Sequence, residues 1–137
     1  MKKFYFLIPL LLIAFTATAQ NLVSNPSFED TVACPTGTSQ IHNAQGWKAY
    51  GVKYGSPDFF HECSKDSIQN SNGWFIRAGV PENSMGFQFA KTGKAYAGFA
   101  THAPNNLDGT PFREIIGTQL TRPLETGTKY YLSFWVS

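Results

Sequence analysis

The sequence predicts an all-β fold of the sandwich type for residues 20–137, and three observations lead to that prediction. Gly, Pro, Asn, Ser and Thr are scattered through the whole stretch, and helix formers do not cluster in it. No window of about eleven residues keeps an apolar stripe at helical spacing. The apolar runs are short and bounded by turn-forming residues, which is the pattern of β-strands.

Four strands are predicted in the first part of this stretch. Residues 23–28 open the domain, and residues 45–50 carry Trp47 in a short apolar run. Residues 58–63 follow a Gly-Ser-Pro turn, and residues 87–90 form a fourth, shorter candidate. Each segment is four to six residues long, as β-strands of globular domains commonly are.

Three further strands are predicted towards the end of the chain. Residues 95–101 alternate small and larger side chains, and residues 114–120 are closed by Pro123. Residues 130–136 show the clearest pattern, with Tyr130, Leu132, Phe134 and Val136 alternating with Tyr131, Ser133 and Trp135. Period two places the first set on one face, which we expect to be the core. Because the chain stops inside this strand and leaves an open edge, we expect the domain to be incomplete at its C-terminus.

Two long connections separate these strands. Residues 64–84 are rich in Ser, Asn, Asp and Gly and are interpreted as one long surface loop, with Trp74 in a small apolar island. Residues 103–111 form a second loop of turn formers. Long loops of this kind often carry binding residues.

The first nineteen residues have the pattern of a signal peptide, which we expect to be helical and to be removed after Ala19. Lys2 and Lys3 are followed by an apolar run and an Ala-Thr-Ala site, and the run is too short for the ~20 residues that span a bilayer. No later stretch is apolar enough to cross a membrane, so we expect no transmembrane segment after cleavage. The exported chain would then be one domain, residues 20–137.

The charge of the exported chain argues against nucleic acid as a partner. Loss of Lys2 and Lys3 leaves nine basic and nine acidic residues, with no basic run, so nucleic acid is a poor partner.

Cys34 and Cys63 are the two cysteines, and an oxidising compartment makes a disulfide the expected state. A metal pair or a reactive thiol is the alternative, but the pair lacks the short ligand spacing of zinc sites.

Both ends of the exported chain resemble carbohydrate-binding modules with the galactose-binding-like jelly roll. The opening segment Asn21-Leu22-Val23-Ser24-Asn25-Pro26-Ser27-Phe28-Glu29 is similar to the first strand of such modules. The segment Leu124-Glu125-Thr126-Gly127-Thr128-Lys129-Tyr130-Tyr131-Leu132-Ser133-Phe134-Trp135-Val136 resembles their late strand. The resemblance implies a jelly-roll β-sandwich.

The order of the internal motifs is similar to that in secreted proteins of Bacteroidota-type bacteria. The motifs are Gly46-Trp47, Gly55 to Cys63, Val80 to Asn83, Gly93 to Gly98 and Arg113-Glu114. There the domain often precedes an OmpA-like peptidoglycan-binding domain or a secretion-sorting tail. The resemblance therefore implies a protein that is secreted or held in the cell envelope, at the periplasm or outer-membrane surface of a Gram-negative bacterium.

The resemblance also implies a structural calcium ion, with Glu29 as the matching ligand. Calcium takes roughly six to eight oxygen ligands, many of them backbone carbonyls that leave no trace in a sequence. The chain lacks the acid in the last strand that similar modules use. The alternative is that Glu29 is an exposed acid at the end of a strand.

Aromatic side chains are the candidate glycan-binding residues, because sugar rings stack on aromatic faces. The candidates are Trp74, Tyr54, Phe59 and Trp47. Trp74 is favoured because it lies in the long polar loop, outside any strand pattern. Trp47 is better explained as a core residue, because large aromatic side chains dominate core burial.

The sequence carries no arrangement of catalytic residues. Its three histidines are dispersed, and it has neither a G-x-S-x-G nor an H-E-x-x-H motif. No pair of acids is marked for glycoside hydrolysis. We therefore expect a non-catalytic binding module for glycans or surface adhesion. A structural accessory domain of an OmpA-like outer-membrane or peptidoglycan-associated protein, and a fragment of an extracellular hydrolase, are the alternatives.

Overall fold

The structure is a computed structural model that describes residues 20–50, 56–64, 68–69, 75–101 and 113–137, with backbone alone at 68–69 and 75–76. A three-residue 3₁₀ helix spans Ile41–Asn43. The strands are β1 Trp47–Tyr50, β2 Asp58–His61, β3 Ile68–Gln69, β4 Phe75–Ile76, β5 Glu82–Asn83, β6 Gly86–Phe87, β7 Ala95–Gly98 and β8 Ile115–Thr118. The described part of the chain is therefore all-β with almost no helix, and the fold class predicted from the sequence is confirmed at that level.

The strands pair antiparallel in four two-stranded ribbons, β1–β8, β2–β7, β3–β4 and β5–β6. In the first ribbon Trp47 lies opposite Thr118 and Tyr50 opposite Ile115. In the second, Asp58 lies opposite Gly98 and His61 opposite Ala95. Both ribbons join strands that are far apart in sequence, so they hold the two halves of the domain together.

The core cluster takes side chains from both of these ribbons. Ile41, Ala44, Phe59 and Ala95 are its buried members, and Phe28, Trp47, Ala97 and Ile116 pack against it. Ile41 lies in the 3₁₀ helix and Ala44 directly follows it, and a hydrogen bond from the Ala44 amide to the Ile41 carbonyl closes the turn that places both in the core. The core thus lies between the β1–β8 ribbon, the β2–β7 ribbon and the short helix.

Strand β2 is buried on both faces. Phe59 faces the core cluster, whereas Phe60 packs on Tyr96 with ring centroids 5.2 Å apart. A side chain at Gly98 would overlap the Phe60 ring, so glycine makes room for that ring against β7. The segment that follows β4 lies along the edge of β2, since His61 donates its amide to the Ala78 carbonyl at 3.0 Å. A short continuous apolar run is the sequence pattern of such a strand.

The predicted strands agree with the structure in the middle of the chain and fail at its ends. The predictions for 45–50, 58–63, 95–101 and 114–120 are confirmed by β1, β2, β7 and β8. Strand β6 ends at Phe87, so it overlaps the predicted strand 87–90 at one residue. At 23–28 the structure has a single bridge, between Val23 and Leu120, because the chain turns at Asn25 to Phe28.

The interpretation of residues 64–84 as one loop is wrong, because β3, β4 and β5 lie within it. Two strands of this segment, β3 and β4, pair with each other, and β5 pairs with β6. Strands of two residues are too short to show the alternation from which strands are predicted. The loop predicted at 103–111, like the signal peptide at 1–19, lies outside the described residues.

The C-terminal segment 121–137 contains no strand and is exposed throughout. The strand predicted at 130–136 is therefore absent, although its alternation is the clearest in the sequence. A strand needs a neighbour that receives its backbone hydrogen bonds, and within the described ranges no strand pairs with this segment. The side chains expected in the core are exposed, with Leu132 at 84% and Phe134 at 74%.

The disulfide predicted between Cys34 and Cys63 is confirmed, with Cα atoms 5.7 Å apart. It ties the loop before the 3₁₀ helix to the end of β2. Among the residues with described positions, no helix is long and apolar enough to cross a membrane.

Candidate functional site

Trp47 is a packing residue of the opening turn. Its indole N–H donates to the Asn25 carbonyl at 2.9 Å, and its ring lies 4.5 Å from that of Phe28. The Asn25 side chain holds the same turn, because its amide nitrogen donates to the carbonyls of Asp30 and Gln45. Both the polar and the apolar parts of Trp47 are therefore used within the fold, which favours the core interpretation of this residue.

Phe59 is not a surface platform, and its assignment as a glycan-binding residue is wrong. Its side chain is 0% exposed and sits in the core cluster. Period two along β2 places it on the inner face, so neither face of the ring is open to a sugar. Trp74 and Tyr54, the other aromatic candidates, lie outside the described residues, and their role stays a prediction.

The Glu29 carboxylate binds the backbone of the turn before β7. Its Oε1 accepts from the amides of Lys94 at 2.9 Å and Ala95 at 3.2 Å, and Oε2 accepts from Lys94 at 3.1 Å. Gly93 has φ +66°, and a Cβ there would overlap this carboxylate. Calcium ligation by Glu29 stays a prediction, and over the described residues no group of three or more His, Cys, Asp or Glu side chains could hold a metal ion.

Two more carboxylates stand where β2, β7 and β8 meet. Glu114 accepts from the Ser56 amide at 2.7 Å through Oε1 and from the Ala100 amide at 2.7 Å through Oε2. Asp58 is 7% exposed and accepts from the Ser39 amide at 2.6 Å. Burial raises the pKa of Asp58, the Ser39 hydrogen bond opposes this, and the nearby Glu114 charge adds to the rise. These acids hold loops to strands, which is a structural role.

The β5–β6 hairpin is fixed to the body of the domain through polar contacts. Asn83 is buried, and its side-chain amide donates to the Gly79 carbonyl at 3.2 Å and to the Tyr96 hydroxyl at 2.6 Å. Burial raises the pKa of Tyr96, while the bond to Asn83 lowers it, so the phenol is neutral at physiological pH. Ser84 exchanges hydrogen bonds with the Arg77 backbone at 2.8 to 3.1 Å. The hairpin backbone is therefore held in one position.

Large apolar side chains project from this fixed hairpin into solvent. Met85 is 71% exposed, Phe87 68% and Phe89 65%. The two phenylalanine rings meet edge to face, with centroids 5.2 Å apart and an interplanar angle of 90°. Such pairs are attractive beyond the area they bury, so the two rings orient one another. We call Met85, Phe87 and Phe89 the aromatic hairpin, which is the candidate binding site of the described surface.

The spacing of Phe87 and Phe89 is a sequence signal for this site, but it is also the pattern of a core strand. Phe87 and Phe89 are two residues apart and therefore lie on one face of an extended chain. That spacing is also the spacing of core residues in a strand, and the sequence predicts a short strand at residues 87–90. Only the structure separates the two cases, because it places the shared face in water.

The comparisons with known proteins found no match for the chain. No family model matches it, and no curated protein or solved structure matches it either. The site is therefore defined by its own geometry.

Proposed function

We propose that the exported chain is a non-catalytic binding module with a galactose-binding-like jelly-roll fold, secreted or held in the cell envelope, and that it binds glycans. The observation that carries this proposal is the aromatic hairpin. Its rings are exposed on a backbone fixed by Asn83 and Ser84, so they need little ordering on binding. Apolar faces of sugar rings stack on such side chains.

Three of the carboxylates in the described part of the chain support a non-catalytic role. Glu29 and Glu114 use their oxygen atoms to accept backbone N–H groups, and the buried Asp58 accepts one from Ser39. A general acid or base must reach a substrate proton. These acids are committed to the fold instead.

A glycan array with the exported and purified chain tests the proposal. We expect binding to at least one glycan class, and we expect Phe87→Ala/Phe89→Ala to remove it with little change in the thermal melt. Phe99→Ala is the matched control, because Phe99 is an exposed phenylalanine outside the hairpin. Trp74→Ala is a third arm. Loss of binding in that variant alone would move the site to the loop around Trp74.

A structural accessory domain of an OmpA-like or peptidoglycan-associated protein is the second candidate. The observation that favours it is the apolar C-terminal segment, in which Leu132, Phe134 and Val136 are exposed. Exposed apolar surface of this extent commonly marks contact with other protein. An array on which no glycan binds would favour this candidate over the first.

A further inference from the structure

We propose that the aromatic hairpin prefers acidic glycans, with Lys91 binding the sugar carboxylate; this rests on the proposed glycan-binding function. Lys91 follows Phe89 by two residues, so their Cα atoms are at most about 7 Å apart. Its ammonium lies 3.8 Å from the ring centroid of Trp135. Lys91 is therefore close to the aromatic pair along the chain, and its ammonium contacts a third aromatic side chain, that of Trp135.

The charges around Lys91 are not balanced by acids of the hairpin. Residues 85–94 contain two lysines and no Asp or Glu. Lys94 pairs with Glu62 at 3.0 Å, and Glu82, at the start of β5, pairs with Arg77. Within the described part of the chain, Lys91 forms no ion pair, and its contact is with the Trp135 ring. The surface beside Phe89 therefore carries a positive charge that is available to an anion.

The contact with Trp135 prepares Lys91 for such an anion. A free lysine side chain is flexible, and ordering it on binding costs free energy. The ring attracts the ammonium and restricts it, while both residues remain exposed to solvent. A lysine ammonium has three donors, so a carboxylate can approach from the side away from the ring. The proposed binding mode is a sugar stacked on Phe89 with its carboxylate turned towards this ammonium.

Polygalacturonate and its methyl-esterified form are matched probes, because esterification removes the charge and keeps the sugar backbone. An exposed ion pair changes affinity by up to about fivefold. At low salt, we expect the exported chain to bind polygalacturonate up to about fivefold more tightly than the methyl-esterified polymer. The affinity for each polymer is measured as retardation in native gels that contain it. We expect Lys91→Gln to remove this preference, and raised salt to weaken it.

Lys48→Gln is the control, since Lys48 is an exposed lysine on β1 and far from the hairpin in sequence. Equal retardation by the two polymers would overturn the preference, as would an unchanged preference in Lys91→Gln. An equal loss in Lys48→Gln would also overturn it, because the attraction would then be unspecific. Binding of neutral glycans on the array without binding to polygalacturonate would refute this inference and leave the proposed function standing. Binding to neither would refute both.

Discussion

Glu29 shows how one side chain connects distant parts of the sequence. It follows the opening turn of the domain, yet its carboxylate accepts the amides of Lys94 and Ala95 at the start of β7. The approach is close because Gly93 has no side chain and adopts positive φ. The motif Phe28-Glu29 and the motif Gly93-Lys94 therefore form one structural unit, although Glu29 and Lys94 are 65 positions apart in the sequence.

Gly93→Ala should destabilise the domain by more than the cost of placing a residue with a Cβ in the left-handed backbone conformation of Gly93. A residue with a Cβ pays roughly 1–2 kcal/mol for that conformation, and the Cβ would also displace the Glu29 carboxylate. Gly127→Ala is the matched control, because Gly127 has φ +80° and open space around it. Urea unfolding measures both variants. Equal losses of stability would show that the Glu29 contact contributes nothing.

Asp58→Asn should change the pH dependence of stability. The pKa of Asp58 is higher in the folded state than in the unfolded state, where it is about 3.9. The protonated carboxyl therefore stabilises the fold below a pH of about 3.9, and this stability is lost as pH rises through the folded pKa. Asn keeps an oxygen acceptor for the Ser39 amide and cannot ionise. We therefore expect the free energy of unfolding of the variant, relative to the parent, to rise with pH from about 3.9 upward. A difference that stays constant across this range would contradict the raised pKa.

Among the secondary-structure elements, those with buried partners agree best between sequence and structure. Strands β1, β2, β7 and β8 were predicted close to their observed bounds, because each has an apolar face that packs in the core. The short strands β3, β4 and β5 were missed. Their two-residue pairings depend on backbone hydrogen bonds, which every residue type can form.

The segment 130–136 shows the opposite case, a clear strand pattern without a strand. Its alternating apolar side chains are exposed, and Lys129 is the charge beside them. An unpaired apolar segment with high β-propensity tends to pair with another chain.

Leu132→Lys should therefore raise the soluble, monomeric fraction of residues 20–137. A lysine in the middle of the segment interrupts intermolecular strand pairing, and Leu132 is exposed, so the substitution removes little packing. Sedimentation velocity at increasing concentration measures the effect. Lys48→Leu, which places an exposed leucine on β1, should act in the opposite direction. If the parent chain is monomeric at all concentrations, the segment does not drive association.

At the scale of the whole molecule, pairing between strands distant in sequence holds the described domain together. The β1–β8 and β2–β7 ribbons share one small core, and the disulfide closes a sequence separation of 29 residues. A small core buries little apolar area, and this burial offsets little more than the conformational entropy lost on folding. A disulfide therefore contributes a large share of the net stability of such a domain.

Cys34→Ser/Cys63→Ser should lower the free energy of unfolding by about 3.6 kcal/mol on the chain-entropy account of a loop of this length. Equilibrium denaturation of the variant and of the oxidised parent measures the difference. Reduction of the parent should reproduce the loss, whereas it should leave the variant unchanged. A variant as stable as the oxidised parent would contradict the prediction.

The sequence by itself determined the all-β class, the four strands that line the core and the disulfide. These features follow from local patterns, namely turn formers, short apolar runs and a pair of cysteines. They are encoded locally because each strand must present apolar residues wherever its partner lies.

Only the tertiary structure decided which aromatic side chains are buried and which are exposed. Phe59 and Phe87 both lie in short apolar runs next to glycine-containing turns, yet Phe59 is at 0% exposure and Phe87 at 68%. Burial depends on what packs against a residue from elsewhere in the chain, and the partners of Phe59 come from the 3₁₀ helix and β7. The same reason explains why the approach of Glu29 to Gly93, and of Lys91 to Trp135, leaves no local signal in the sequence.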